Sequence, residues 1–160
     1  MPNTAKSVIN LAGKAQEATR LLRADHKLVN ELFEQFESSR SSAKKQELVA
    51  QICMELTIHA QIEEEIFYPA VQQALKDKTL VPEAKVEHET VKYLIAQIQE
   101  ESPDSELWEA KVTVLAEYVK HHVKEEQNEM FPKVKASKLD LIELGAKLAE
   151  RKEELKAKAM

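Results

Sequence analysis

Glycine is nearly absent from this chain, at 2 residues in 160. Sheet hairpins and tight turns lean on glycine for backbone angles that other residues avoid, so a fold of many short strands is excluded and long helices are expected. Cysteine is scarcer still. The single Cys53 rules out an intramolecular disulfide and any thiolate-based zinc or iron–sulfur site, and reads as a small buried helix residue in a reducing compartment. No run of about 18 apolar residues occurs, which excludes a membrane-spanning helix. The opening Met-Pro-Asn-Thr-Ala-Lys has no apolar stretch of signal-peptide length. A surplus of positive charge is missing too: 23 Lys and Arg stand against 28 Asp and Glu, for a net charge of −5. Such a surface is not the kind that binds nucleic acid or anionic lipid. Together these absences predict a soluble, cytoplasmic protein with neither nucleic acid nor membrane as partner.

What the chain does contain is a repeat. His59-Ala-Gln-Ile-Glu63-Glu64-Glu65-Ile66-Phe67-Tyr68-Pro69 returns as His122-Val-Lys-Glu-Glu126-Gln127-Asn-Glu-Met-Phe131-Pro132. In each copy a histidine precedes a glutamate by four residues, which on an α-helix sets both side chains on one face about 6 Å apart. The segment Asp25-His26-Lys-Leu-Val29-Asn-Glu-Leu32-Phe33 is echoed by Glu87-His88-Glu-Thr-Val91-Lys-Tyr-Leu94-Ile95. Each half therefore pairs a helix bearing one histidine with a helix bearing His-x-x-x-Glu.

The apolar spacing supplies the fold. Leu22, His26, Val29, Phe33 and Phe36 alternate at steps of four and three, the seam of a bundle helix. So do Val49, Ile52, Leu56, His59, Glu63 and Ile66; Ala84, His88, Val91, Ile95 and Ile98; and Val112, Leu115, Val119, His122 and Glu126, with Met130 a further four residues on. Short connections at Ser38–Ser42 and Glu101–Ser105 predict an all-α, antiparallel up-down-up-down four-helix bundle. The whole of 1–160 reads as one domain with its core over about 18–132. An N-terminal arm from about Thr4 to Gln16 is expected, and a further helix over about 138–158 that packs on the bundle or on another subunit of a homo-oligomer. Pro69 and Pro132 should kink or end their helices just beyond each clip, and Gly145 weakens the expectation of a continuous last helix.

Six ionisable side chains, His26, His59, Glu63, His88, His122 and Glu126, thus fall at core positions. Burying them unpaired would cost several kcal/mol, and a pair of divalent or trivalent metal ions would compensate them directly. Imidazole and carboxylate without thiolate suit iron, manganese or zinc. Six protein ligands over-fill a tetrahedral site, whereas two octahedral ions want about twelve positions and would leave about two open for a small ligand. His121 reads as a flank residue, Glu64, Glu65 and Glu125 as solvated charge, and Asp25 and Glu87 as surface acids. Tyr118 and Glu55, one turn before each clip histidine, are candidates for contacts that orient it.

At these residues, from about His26 to Pro132, the chain resembles the haemerythrin-like HHE family of four-helix bundles. The resemblance implies a non-haem di-iron centre, oxo- or hydroxo-bridged, with His26, His59, Glu63, His88, His122 and Glu126 as ligands and both glutamates bridging. It implies a small diatomic or peroxide ligand: dioxygen or a related oxidant, or else peroxide or nitric oxide at an enzyme of stress defence, or an iron sensor or store. Oxygen-carrying haemerythrins have a further histidine and an aspartate where this chain has Lys92 and Gln127, a departure that weighs against reversible oxygen carriage.

Overall fold

The computed structural model of the protein describes residues 16–159. Apart from Gln16, the expected N-terminal arm lies outside them. All regular structure among the described residues is helical: α1 Ala18–Ser38, α2 Ser42–Ile62, α3 Tyr68–Leu75, α4 Leu80–Glu100, α5 Glu106–Glu125, α6 Phe131–Ala136 and α7 Leu141–Ala159. Side-chain caps start them. Glu17 accepts hydrogen bonds from the backbone N–H groups of Thr19 and Arg20, Ser41 from Lys44, and Ser105 from Leu107. The Asp77 carboxylate accepts from Leu80 and Val81 at the head of α4.

Pro69 and Pro132 each follow a change in the helical hydrogen-bond ladder. Neither ends its helix; α2 runs into α3 through a π-helical turn at Glu63–Phe67, and α5 runs into α6 through another at Glu126–Met130. In each turn an N–H reaches back five residues instead of four, Tyr68 to the Glu63 carbonyl and Phe131 to that of Glu126. The widened turn gives the pyrrolidine ring of Pro69 or Pro132 room beside a carbonyl it would otherwise strike, and the proline falls in the first turn of the next segment, where its missing N–H costs least. Lys76, in the left-handed conformation at φ 50°, terminates α3.

Apolar side chains form two clusters. Leu22, Ile62, Phe67, Val71, Phe131 and Leu148 belong to one, and Phe33, Ile52, Ile98, Trp108, Val112 and Leu115 to the other. The histidines and glutamates lie between them along each helix, so the polar layer is closed off from both ends. Cys53 is buried in the second cluster, and burial pushes its thiol up to about 11, consistent with an inert packing residue.

The last helix packs on this chain, along α1, α2 and the first π turn. Gly145 does not interrupt it; the glycine is the point of closest approach. A Cβ there would stand 2.2 Å from the Gln16 carbonyl oxygen and 3.0 Å from the Ala18 nitrogen. Gly145→Ala should therefore lower the melting temperature: overpacking costs about 1–3 kcal/mol, more than the ~1 kcal/mol of helix propensity that alanine adds. An unchanged or raised melting temperature would refute the contact.

Candidate metal centre

His26 comes from α1, His59 from α2, His88 from α4 and His122 from α5, while Glu63 and Glu126 open the two π turns. All six are buried, the most exposed being His26 at 8%. The structure brings them together. One group of potential donor atoms comprises His26, His59, Glu63 and Glu126, and a second comprises Glu63, His88 and His122. Glu63 Oε1 lies 3.3 Å from His59 Nε2 and 3.2 Å from His88 Nε2. Glu126 places Oε1 3.1 Å from His26 Nε2 and Oε2 3.2 Å from His122 Nε2.

Those separations matter because of what stands behind each ring. His59 Nδ1 meets the Asp25 carboxylate at 2.8 Å, His88 Nδ1 meets Glu64 at 2.8 Å, and His122 Nδ1 meets Glu87 at 2.7 Å. A carboxylate at Nδ1 draws the ring proton there, which turns the Nε2 lone pair inward. Inward-facing lone pairs and inward-facing carboxylates then confront one another. His26 Nε2, His59 Nε2, Glu63 Oε2 and Glu126 Oε1 are buried without a hydrogen-bond partner, an arrangement that only protons or a cation can compensate. Donors on one ion at about 2.1 Å and right angles stand about 3 Å apart, so the spacing fits a shared metal.

Without a cation, protons take that role. Burial opposes charge on His59, but the Glu63 charge and the bonds to Asp25 and Glu63 raise it to about 10. His122 is likewise opposed by burial, yet Glu126, Glu63 and Glu87 push it up to about 12. Burial would raise Glu63, but the charge on His59 and hydrogen bonds from His122, His59 and His88 hold it well below the usual carboxylate range. Burial and the neighbouring Glu63 would raise Glu126; His122 and His26 bring it down.

Asp25 and Glu87 are not surface acids. Adjacent helical residues point about 100° apart, so neither acid reaches the histidine beside it; each crosses to the clip histidine of the neighbouring helix. Asp25 is 4% exposed and also bonds Lys152 of α7. Glu64, read as solvated charge, holds His88 and Lys92, and its counterpart in the repeat, Gln127, meets His26 Nδ1 at 2.8 Å. Tyr118 is 47% exposed and so cannot orient His122 from inside. Glu55 is buried but bonds none of the described histidines. His121 is exposed and paired with Glu125 at 3.1 Å.

Tyr68 was absent from the sequence candidates. Fully buried, it donates its hydroxyl to Glu126 Oε2 at 2.5 Å and Glu63 Oε1 at 3.1 Å, and the same oxygen lies 3.2 Å from His88 Nε2 and 3.3 Å from His122 Nε2. Burial and the two carboxylates hold its phenol well above the ordinary tyrosine range. The i to i+5 turn brings Tyr68 onto the face of Glu63. Its counterpart Phe131 stacks on His26, centroids 6.1 Å apart, so only one half brings a hydroxyl to the site at this position. Against the four rings, Val29, Leu56, Val91, Val119 and Val123 help line a cavity of about 30 Å³, room for one small molecule.

A DNA nickase from Nostoc sp. is 34% identical over 115 residues, covering 72% of this chain and 32% of its own. The chain thus spans about a third of that relative's length. A crystal structure of a Hemerythrin HHE cation binding domain-containing protein from Mycobacterium kansasii matches with a TM-score of 0.77 at 26% identity, over 90% of both chains. The Hemerythrin HHE cation binding domain itself matches residues 17–134, the span from the α1 cap into α6. With its His and Glu groups able to hold metal, the chain belongs to the Hemerythrin HHE cation-binding family.

Proposed function

We propose that the chain is one four-helix domain, α1, α2, α4 and α5 running up-down-up-down, in which His26, His59, Glu63, His88, His122 and Glu126 hold two iron ions. Held there, the pair would give dioxygen or a related small oxidant a place to bind. The observation that carries this reading is the set of buried, partnerless donor atoms aimed at one another. Glu126 directs one oxygen toward His26 and the other toward His122, the disposition of a bridging carboxylate, and Glu63 lies between His59 and His88. Two irons supply redox-active Lewis acidity with positions left for a small ligand.

The chain's own residues do the rest. Asp25, Glu64 and Glu87 hold the Nδ1 protons and so fix ring orientation. The valines and Leu56 keep water from the rings. No nucleic-acid partner is included, in keeping with the net charge of −5; nicking is stated of the Nostoc protein, of which the chain spans about a third.

Tyr68 favours a second reading, an enzyme acting on peroxide or nitric oxide, because its hydroxyl keeps a transferable proton inside the site. The same oxygen stands 3.2 and 3.3 Å from the two imidazoles, so a cation that took Tyr68 as a ligand would displace that proton and hold the residue as phenolate instead. Tyr68→Phe should abolish a phenolate-to-iron absorption band of the loaded protein; identical visible spectra would exclude Tyr68 as a donor. Optical spectra of anaerobically loaded protein decide between the readings. Reversible cycling with oxygen supports binding, sustained peroxide or nitric oxide consumption supports the enzyme, and less than about one iron per chain refutes both.

A further inference from the structure

Beside the histidine layer, α1 and α5 leave an open cleft of about 360 Å³. Arg23 and Lys27 stand one turn apart on its α1 wall, Lys120 and Lys124 one turn apart on its α5 wall, and no acidic side chain lines it. Like charges at i and i+4 repel. Among the described residues, carboxylates within 4.0 Å go to other cations: Lys44, Lys45, Lys92, Lys111, Lys147, Arg151 and Lys152. None of the four cleft cations has one. Arg23 instead lies over the Phe131 ring at 5.4 Å, the ring that stacks on His26. This local field opposes the chain's net charge of −5.

The cleft also adjoins the site. His26, Val119 and Val123 line both it and the small cavity against the four histidines, so these three side chains form the partition between them. We infer that the cleft binds small inorganic anions of the size of azide or nitrite and is the route by which an anionic ligand reaches the metal centre past His26. The destination rests on the proposed iron site; the capture step rests on the cleft alone.

Azide tests both parts. In the iron-loaded protein, followed by stopped-flow absorbance, association should slow as sodium chloride rises, because screening weakens the local attraction; a field set by the net charge alone would make it quicken. Lys27→Glu with Lys120→Glu should slow association about tenfold and leave dissociation unchanged, whereas Lys138→Glu, in the connection between α6 and α7, should change neither. The neutral pair Lys27→Gln and Lys120→Gln should give a smaller loss, and serves if the reversed pair misfolds. In metal-free protein, azide should shift the amide NMR signals of Lys27, Lys120, Lys124 and Gln127. Those shifts without any azide spectrum in the loaded protein would keep the cleft and overturn the iron site. Shifts with a salt-independent association rate would overturn the route, and an absence of shifts would overturn the cleft.

Discussion

Glu63→Leu is expected to remove the metal centre while leaving the helices folded. Glu63 faces His59, His88 and His122 at once, so its loss takes a donor from both proposed ions, whereas His26→Ala or His88→Ala takes a donor from one. Iron per chain should fall toward one or none in the glutamate variant and remain partial in the histidine variants. Stability need not follow the metal. After the change His59 still has Asp25, His88 still has Glu64, and His122 still has Glu126 and Glu87, so no imidazolium is stranded. One buried carboxylate oxygen without a partner disappears. Because each ring keeps another carboxylate, the penalty of about 3–5 kcal/mol for breaking a buried pair should be largely avoided. Thermal melting of both metal-free proteins, with iron counts on both after loading, makes the comparison; a variant that keeps two irons shows that Glu63 is not a bridge.

Acid should strip the metal well before it unfolds the bundle. His59 at about 10 and His122 at about 12 hold protons at neutral pH when no metal is present, and metal must displace them, so apparent affinity rises with pH. The fold responds differently. A raised histidine pKa stabilises the metal-free protein fully below the reference value of about 6.5 and loses that contribution only as pH climbs through about 10 and beyond. The depressed carboxylates Glu63, Glu126 and Asp25 contribute above their reference values of about 4 and lose that contribution only as pH falls through their lowered folded values. From about pH 10 downward, then, apparent iron affinity should fall with each pH unit, while helicity stays constant to about pH 5. Circular dichroism beside iron analysis over a pH series reads both. Iron content unchanged down to about pH 4 contradicts a site dominated by histidine.

The seam periodicity and the internal repeat made the bundle class and the six converging side chains readable before any coordinates, because both depend on spacing along one helix. What stayed hidden depends on something else. A π turn inserts a residue without disturbing the seam up to Glu63, so spacing alone leaves a kink and an end at Pro69 equally open and does not place Tyr68 on the glutamate's face. Asp25 and Glu87 were judged against the histidines next to them, whereas their partners lie across a helix interface that spacing does not encode. Glu64 and Gln127 occupy matching places in the repeat, and Tyr68 and Phe131 do too; the clue lay in comparing the copies position by position beyond the ligands. The close approach at Gly145 involves a strand of backbone from the other end of the chain, which no local pattern predicts.

X-ray absorption at the iron edge of the loaded protein bears most directly on the central claim. The account predicts a first shell of nitrogen and oxygen near 2.0–2.2 Å, no sulfur, since the lone Cys53 is buried in the apolar cluster, and an iron–iron vector within about 4 Å. Both the vector and the two-iron stoichiometry should vanish in Glu63→Leu. Iron atoms with no metal neighbour at that distance, or a vector that survives the substitution, would contradict it.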